Sequence, residues 1–289
     1  MSTSSLAPHQ TAVGVGEVRK QSTVVVMVPC RNERAYIEQC IRSICAQDYP
    51  AELVAIVIAD GMSDDGTRQI LDRMAADDAR LHVLDNAAKH VPAGLNAAIR
   101  AFDADLYIRM DAHCVYPSDY ISRCVVAMHE NDAWNVGGVW NIEPGAPTWT
   151  ARSIAVAVSS SFGIGNAMYR LQTERVMPVD TVPFGCFRKD VFVRVGLFDE
   201  KFIRNQDDEF NLRIIRAGGR IVLDPRIRCT YYARRTFRAL WRQYFQYGLW
   251  KLRVLFKHRR FAAFRNVVPI GFALFVLITC LLYTSDAAD

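Results

Sequence analysis

The stretch Leu53–Thr67, LVAIVIADGMSDDGT, sets the fold of this chain. Its apolar run is rich in β-branched residues and shows no polar alternation, which predicts a strand buried on both faces. Asp60 ends the run, and a turn that contains Gly66 leads into a helical pattern over Thr67–Ala76. A buried strand that passes through a turn into a helix is the unit from which α/β sheets are built.

The same unit recurs on both sides of this stretch. Thr23–Pro29, TVVVMVP, predicts a buried strand that Pro29 ends, and Glu33–Gln47 carries isoleucines at helical spacing. The pattern continues with a strand, a helix and a strand at Leu81–Asp85, Ala93–Ala101 and Asp105–Met110. The alternation predicts an α/β fold with a Rossmann-like parallel sheet and helices on both faces. Ligands of such sheets bind beyond the carboxyl ends of the strands.

The second half of the chain has weaker patterns. Trp140–Trp149 is rich in Pro and Gly and predicts a loop. Val182–Phe187 predicts a strand and Arg188–Val195 a short helix. Phe210–Ala217 predicts a second helix, and Arg220–Leu223 a late strand. The length allows one large domain or two small ones, and no internal repeat is visible after residue 20.

The net charge of +5 hides two regions of opposite sign. Twelve Lys and Arg and no Asp or Glu lie between Arg226 and Asn266, whereas the first 225 residues are net acidic. Within the basic region, residues 233–266 interleave cations with Phe, Trp, Tyr and Leu, which is typical of an amphipathic interfacial segment on an anionic membrane. A nucleic-acid surface is the alternative meaning of a basic segment.

The hydrophobic segment that follows favours the membrane interpretation. Val267–Tyr283 contains seventeen residues without a charge, which is near the short limit for a membrane-spanning helix. A buried core helix is the alternative, but a core helix at a chain end usually shows a polar face. We therefore expect residues 267–289 to form a transmembrane segment, interrupted at TSDAAD, with the basic segment on the cytoplasmic side.

The N-terminal residues and the cysteines indicate the compartment. Residues 1–20 are rich in Ser, Thr and Gly and carry no secretory signal, which predicts a disordered leader. The eight cysteines form no CxxC pair and no zinc-like cluster. We therefore expect reduced thiols in the cytosol.

Polar residues follow the first two predicted strands. Asn32 and Glu33 come shortly after Pro29, although a Glu that opens a helix is more often a cap than a ligand. Asp60 follows the second strand, where a carboxylate can accept hydrogen bonds from a base imide or a ribose hydroxyl. The acids that come next in the sequence fit turn and cap chemistry. The GxGxxG fingerprint of dinucleotide-binding proteins is absent.

Asp111 and His113 follow the fourth predicted strand, in RMDAHC. On an extended chain, positions i and i+2 point the same way, so the carboxylate and the imidazole could converge on one ion. Oxygen and imidazole ligands suit a divalent ion such as Mn²⁺. A lone histidine in a loop is the commoner alternative.

Three consecutive acids, Asp207, Asp208 and Glu209, open a predicted helix in NQDDEFNLR. One acid would be enough to complement the helix dipole. Three adjacent carboxylates repel one another, which indicates a charged ligand or a shifted pKa.

Together these motifs resemble glycosyltransferase family 2, the inverting sugar-nucleotide transferases of the GT-A fold, over about Thr23–Lys251. VPCRNE resembles the opening strand motif of the family, ADGMSDDGT its nucleoside-binding motif and MDAH its metal motif. VPFGCFRKDVF resembles the acceptor-side motif, and NQDDEFNLR resembles the ED motif. MDAH and the basic, aromatic RQYFQYGLWK are similar to the succinoglycan-type exopolysaccharide branch. The QxxRW motif of processive members is not present as such, which disfavours long-chain processive synthesis.

The resemblance implies a GT-A catalytic domain over residues 21–232 and a role for each matching residue. Asp207 is the general base of the ED motif, in which Gln206 replaces the usual Glu. Asp111 lies near the ribose and the metal, and His113 replaces the second Asp of the metal motif. Binding of the nucleotide sugar is implied for Pro29, Glu33, Asp60, Lys89 and Asp111, and a place on the acceptor side for Gly185, Asp208 and Glu209.

The expected protein is an inverting, metal-dependent hexosyltransferase that uses Mn²⁺ or Mg²⁺. It would move a hexose from a nucleotide-diphosphate sugar, expected to be a UDP-sugar, to a hydroxyl of a lipid-linked saccharide in exopolysaccharide or cell-surface glycan synthesis. It would work at the cytoplasmic face of the inner membrane and bind no nucleic acid. One alternative is a sugar nucleotidyltransferase, for which VPCRNERAY offers only two arginines. The other is a non-enzymatic nucleic-acid-binding protein, which leaves the acidic strand ends unexplained.

Overall fold

The structure is a computed structural model that describes residues 21–161, 167–171, 173–259 and 268–286. Its strands are β1 (Val24–Cys30), β2 (Val54–Asp60), β3 (Leu81–Asp85), β4 (Leu106–Arg109), β5 (Asn135–Glu143), β6 (Met177–Pro178), β7 (Cys186–Arg188) and β8 (Ile221–Tyr232). They form one sheet in the order β3-β2-β1-β4-β7-β5-β8-β6.

The described helices lie between and after these strands. They are α1 (Ile37–Cys45), α2 (Thr67–Asp77), α3 (Val91–Ala101), α4 (Tyr120–Asn131), α5 (Trp149–Val158), α6 (Lys189–Val195), α7 (Gln206–Arg216), α8 (Phe237–His258) and α9 (Val268–Asp286). Two 3₁₀ turns occur at Ala51–Leu53 and Met168–Arg170.

The first four strands confirm the predicted parallel sheet. β1 pairs in parallel with β2 and with β4, and β2 pairs in parallel with β3. Their residues alternate between two cores: Val24 and Val26 pack with α1, α2 and α4 on one face, whereas Val25 and Met27 pack with α3, α6 and α7 on the other. This alternation explains why the strands are apolar throughout, since neither face meets water.

The second half differs from the predicted parallel sheet. β7 is antiparallel to both of its neighbours, β4 and β5, and β6 is antiparallel to β8. β5 continues to Glu143, through the first part of the predicted loop at Trp140–Trp149. The late strand predicted at Arg220–Leu223 extends to Tyr232, because the Asp224-Pro225 pair that reads as a strand end is accommodated by a register shift opposite Gly137–Val139.

The C-terminal part forms two helices. α8 begins at Phe237 and is capped by Thr236, whose hydroxyl accepts the backbone N–H of Ala239 at 3.2 Å. The helix packs on the domain through residues such as Val254. None of the helices that the structure describes combines the length and apolarity needed to cross a membrane, so the predicted transmembrane segment is not confirmed. The predicted leader at 1–20, and residues 260–267 of the predicted basic and hydrophobic segments, lie outside the described residues.

Candidate active site

Asp60 lies at the carboxyl edge of the sheet, and its carboxylate is engaged within its own turn. The buried side chain accepts a hydrogen bond from the Ser63 hydroxyl at 2.6 Å and from the Ser63 backbone N–H at 3.2 Å. A guanidinium nitrogen of Arg68 lies 3.6 Å away. The position is the predicted one, and the contact with a nucleoside stays a prediction.

Pro29 lies inside β1 and not after it. The strand continues to Cys30, and Pro29 is buried in register with Ala59 of β2. On the other side, β4 pairs with β1 only as far as Met27, so that neighbour does not require a backbone N–H at Pro29. The strand therefore ends one residue later than predicted, and the contact of Pro29 with the nucleotide stays a prediction. Lys89 is exposed in the turn before α3, with φ at 61°, and its role stays a prediction.

His113, a predicted metal ligand, pairs with Glu33. His113 Nδ1 lies 3.3 Å from a Glu33 carboxylate oxygen, and this hydrogen bond raises the pKa of His113 above its ordinary value. β4 ends at Arg109 and the chain turns at residues 112–113, so the extended-chain argument for Asp111 and His113 is wrong. The charge of Asp111 contributes to the same rise in the pKa of His113, and the shared metal ion stays a prediction.

Arg109 joins the end of β4 to the start of α7. Its buried guanidinium donates from Nη2 to Asp111 at 3.1 Å and from Nη1 to Asp207. Asn205 adopts a left-handed conformation, with φ at 56°, and turns the chain into α7 just before Asp207. One cation therefore holds the predicted donor-side carboxylate and the predicted general base together.

The environment of Asp207 suits a proton acceptor. Burial raises its pKa above the ordinary value, and the positive charge of Arg109 opposes this rise without cancelling it. A raised pKa makes a carboxylate a stronger base, and 33% of the side chain remains exposed to an incoming hydroxyl. Asp207 can therefore act as a general base while Arg109 keeps it oriented.

Two aromatic residues fix the backbone around this pair. Phe184 has φ at 48°, in the left-handed region that bulky residues rarely adopt, and its ring centre lies 5.8 Å from the Arg109 guanidinium. The Tyr116 hydroxyl accepts the Asp111 backbone N–H at 2.7 Å and contacts the Asp111 carbonyl at 3.3 Å. Such strained positions cluster at functional sites, which supports the location independently of the motifs.

Gly185, predicted on the acceptor side, has a packing function beside Arg109. Its carbonyl accepts the Arg109 backbone N–H at 3.0 Å. A Cβ at this position would lie 2.3 Å from Asn135 Oδ1 and 2.6 Å from the Phe187 ring, so only glycine fits without a shift. The structure does not place a direct acceptor contact at Gly185.

The last two acids of the motif have different surroundings. Asp208 is partly exposed and lies 3.7 Å from Lys251 of α8, which keeps its predicted place on the acceptor side open. Glu209 is fully buried, and its carboxylate binds three basic side chains, those of Arg213, Lys257 and His258. The predicted place of Glu209 on the acceptor side stays a prediction, and a substrate could reach this carboxylate only by displacing these groups.

The predicted metal site at Asp111 and His113 offers an ion two protein ligands and not a complete set of ligands. Among the described residues, no group of three or more His, Cys, Asp and Glu is arranged to hold a metal. Asp111 and His113 are neighbours at the sheet edge. An ion that already binds diphosphate oxygens needs only one or two protein ligands. The residues therefore fit an ion that arrives with a nucleotide.

Sequence reasoning missed Arg109, although its signal was visible. DLYIRMDAH places one charged residue inside an apolar strand, and a buried arginine requires carboxylate partners. Asp111 and Asp207 are those partners.

Comparison with known proteins identifies the family. The model described as "Glycosyl transferase family 2" matches residues 25–196, which is more than half of the chain and includes Asp111 and Arg109. The chain belongs to glycosyltransferase family 2. The alternatives of a sugar nucleotidyltransferase and of a nucleic-acid-binding protein are thereby set aside.

Two relatives extend the match beyond the family region. The transferase is 32% identical to the succinoglycan biosynthesis protein ExoA of Rhizobium meliloti (strain 1021), over 89% of this chain and 77% of that protein. It is 26% identical to a dolichyl N-acetyl-alpha-D-glucosaminyl phosphate 3-beta-D-2,3-diacetamido-2,3-dideoxy-beta-D-glucuronosyltransferase of Methanococcus voltae, over 90% of this chain and 81% of that protein. The first match confirms the resemblance to the succinoglycan-type branch.

Solved structures confirm the GT-A fold of the transferase. The mannosyltransferase PcManGT from Pyrobaculum calidifontis, in complex with GDP-Man and Mn²⁺, has a TM-score of 0.64 at 20% identity, over 87% of this chain and 68% of that one. TarS 1-349 of S. aureus, in complex with UDP-GlcNAc, has a TM-score of 0.56 at 15% identity, over 73% and 59%.

Proposed function

We propose that this transferase moves a hexose from a UDP-sugar to a hydroxyl of a lipid-linked saccharide, with inversion at the anomeric carbon. The observation that carries the proposal is the Asp111–Arg109–Asp207 arrangement. It puts a carboxylate with a raised pKa beside the sheet edge where donors of this fold class bind.

In the proposed reaction, Asp207 removes the proton of the acceptor hydroxyl as that oxygen attacks the anomeric carbon. Arg109 holds Asp207 in place and stabilises its charged form before the proton moves. Asp111 and His113 would hold a divalent ion, Mn²⁺ or Mg²⁺, which supplies charge neutralisation for the departing diphosphate. Glu33 orients His113 through their hydrogen bond.

The nature of the donor is supported by the solved relatives. One is in complex with GDP-Man and another with UDP-GlcNAc, so the fold binds nucleotide-diphosphate sugars of both bases. Asp60 lies at the edge of the sheet, where a base or ribose would approach. A base-specific contact there would require it to exchange its bond to Ser63 for one to the nucleoside.

The acceptor and the location are supported by a relative and by α8. The name of the Methanococcus voltae relative contains a dolichyl phosphate-linked sugar. One face of α8 exposes an apolar stripe, the residues Phe237, Trp241, Phe245, Leu249, Leu252 and Phe256. This apolar stripe, with arginines beside it, suits the surface of an anionic membrane. We propose that the transferase works on the cytoplasmic face of the inner membrane.

The experiment that tests this function is a donor screen on the full chain. UDP- and GDP-sugars are supplied with a polyprenyl-diphosphate saccharide, and release of nucleoside diphosphate is measured together with the anomeric configuration of the product. We expect acceptor-dependent release from one or a few UDP-sugars and an inverted linkage. Release that is independent of acceptor for every donor, or a retained configuration, would contradict the proposal.

A further inference from the structure

A buried arginine outside the catalytic cluster lacks a counter-charge. Arg170 is only 8% exposed, and no described residue forms an ion pair with it. Its Nη1 donates to the Tyr244 hydroxyl at 3.3 Å, whereas its Nε has no hydrogen-bond partner among the described residues. Burial of a charge without a counter-charge is costly, so Arg170 indicates an anion that belongs beside it.

Aromatic rings surround this guanidinium. Its central carbon lies 5.1 Å from the ring centre of Trp140 and 5.6 Å from that of Tyr169. Tyr231 stacks on Trp140 with ring centres 4.2 Å apart. Cation–π contacts offset part of the cost of burial, but they do not satisfy the N–H donors at the edge of the guanidinium.

A second unpartnered donor lies in the same cluster. Trp140 Nε1 is inaccessible and has no hydrogen-bond partner in the part of the chain that the structure describes. Buried indole N–H groups usually find a partner. Two orphaned donors on adjacent side chains, one of them charged, suit the oxygens of a phosphate group.

The cluster is connected to the catalytic site on one side and to α8 on the other. The Trp140 ring centre lies 5.6 Å from that of Phe184, whose ring is the one that contacts Arg109. Tyr244 of α8 contacts Arg170 directly. The cluster therefore has contacts both with the ring beside Arg109 and with the helix that exposes the apolar stripe.

We propose that Arg170 and Trp140 bind the phosphate that joins the acceptor saccharide to its lipid. The sugar would then extend toward Asp207 and the lipid toward α8. This inference rests on the proposed lipid-linked acceptor and adds the place where its anionic end is held. A phospholipid headgroup carries the same chemistry, so the test must separate the two sources.

The first test measures binding to the full chain without turnover, with excess nucleoside diphosphate filling the donor site. The probes are farnesyl diphosphate and dihexanoyl phosphatidylglycerol, both below their micelle concentrations. Arg170→Gln should weaken binding of farnesyl diphosphate roughly tenfold to a hundredfold, and Trp140→Phe less, because a bond from a charged donor is the stronger one. Arg175→Gln removes an exposed arginine of the same segment and should bind like the wild type.

The outcomes distinguish a site for the phosphate of the acceptor lipid from a structural cluster and from a site for a lipid headgroup. Equal binding of farnesyl diphosphate by the wild type and both folded variants overturns the proposal and leaves the cluster a structural cation–π arrangement. Dependence on Arg170 with phosphatidylglycerol but not with farnesyl diphosphate overturns it in favour of a bilayer headgroup. Trp140→Phe keeps an aromatic ring for stacking and removes the indole N–H, so it decides the question even where Arg170→Gln does not fold.

A second measurement separates this inference from the proposed reaction. A free oligosaccharide and the same oligosaccharide on farnesyl diphosphate are compared as acceptors. Arg170→Gln should raise KM for the lipid-linked acceptor and leave KM and kcat for the free one unchanged. Equal losses with both acceptors overturn the phosphate site. Absence of transfer by the wild type contradicts the proposed reaction instead, while the binding result still decides the site.

Discussion

At the scale of single residues, Arg109 is the centre of the candidate active site. It binds Asp111 and Asp207, two carboxylates that are 96 positions apart in the chain, and its guanidinium also contacts the Phe184 ring. A cation beside a carboxylate stabilises the charged form of that carboxylate. The pKa of Asp207 nevertheless stays above its ordinary value, because burial raises this pKa more than Arg109 lowers it.

Replacement of the proposed base tests its role directly. Asp207→Asn is nearly isosteric, so packing and donor binding should survive, while transfer should slow by roughly 10²–10⁴-fold because the amide cannot accept the proton. Turnover and binding of nucleoside diphosphate are measured in the same preparations. Asp208→Asn is the matched control and should slow transfer only mildly, because adjacent helical side chains point about 100° apart. Near wild-type turnover in Asp207→Asn would remove it from the mechanism.

Loss of Arg109 should change the pH dependence. Without the guanidinium, nothing opposes the effect of burial, so the pKa of Asp207 should rise further. Because Asp207 must be ionised to accept a proton, the acid limb of the pH profile of kcat/KM should move to higher pH in Arg109→Gln. Arg109→Lys keeps the charge but not the two-pronged geometry and should lie in between. An acid limb at the wild-type position in Arg109→Gln would contradict this reading.

The sequence predicted individual site residues unevenly, for physical reasons. Asp60, Asp111 and Asp207 were placed at element ends because carboxylates that interrupt apolar runs are visible in one dimension. The burial of Glu209 was not visible, because Lys257 and His258, which enclose it, are nearly fifty positions away. A local pattern cannot report a counter-charge that comes from another element.

At the scale of elements, ion pairs attach α8 to the catalytic helix α7. Lys251 lies 3.7 Å from Asp208, and Lys257 contacts both Glu209 and Asp199 at 2.7 Å. Some cations that the sequence suggested for a membrane surface therefore point inward, and the apolar stripe is left on the outer face. The position of α8 and the geometry of the acid motif depend on each other.

Neutralising Glu209 should loosen this attachment. Glu209→Gln leaves Arg213 and Lys257 without their buried counter-charge, and we expect a loss of about 2–3 kcal/mol in the free energy of unfolding. Glu38→Gln removes an exposed carboxylate that pairs with Arg42 and Arg73, and it should leave stability nearly unchanged because exposed ion pairs contribute little. Denaturant unfolding measures both, and equal effects would contradict the role given to Glu209.

The contacts of Glu209 with Arg213 and Lys257 predict a contribution to stability that is lost at acid pH. Burial raises the pKa of Glu209, but hydrogen bonds from Arg213 and Lys257 outweigh this and leave its pKa below the ordinary value. The contribution is therefore complete above the unfolded pKa, about 4.3, and is lost as pH falls through the lower folded value. Unfolding curves of wild type and Glu209→Gln should converge in that acid range. Curves that stay parallel as pH falls through the folded pKa of Glu209 would refute the assignment.

The apolar stripe of α8 has its own test. Replacing Trp241 and Phe245 by Ser should weaken sedimentation with anionic vesicles roughly tenfold or more, because two large apolar side chains no longer leave water. Val193→Ser, which removes an exposed apolar residue of α6, is the control. Retention on DNA at the same salt concentration serves as the comparison. Unchanged vesicle binding in the double variant would exclude the stripe as the contact surface.

At the scale of the whole molecule, the donor half was predictable and the acceptor half was not. β1 to β4 are consecutive parallel strands joined by helices, so each element follows from a local pattern. β7 enters the sheet between β4 and β5 in antiparallel orientation, and three residues give no pattern from which that insertion could be inferred. Long-range pairing of short strands is decided by packing and not by propensity.

The proposed metal requirement concerns the enzyme with its donor bound. EDTA should abolish transfer, and Mn²⁺ should restore it better than Ca²⁺, which takes more oxygen ligands than this edge offers. His113→Ala should raise the Mn²⁺ concentration needed for half-maximal activity. His129→Ala changes a histidine that contacts Ser22, away from the site, and should leave that requirement unchanged. Full activity in the presence of EDTA would contradict the proposed metal requirement.

The attachment of α8 to α7 would fix the distance between the proposed membrane surface and Asp207. If the apolar stripe rests on the bilayer, the ion pairs of Lys251 and Lys257 hold Asp207 at a constant height above it. Only a hydroxyl at that height can lose its proton to the base, and each added sugar carries the new terminal hydroxyl beyond it. We expect the enzyme to extend an acceptor of one particular length by one unit and then to release it.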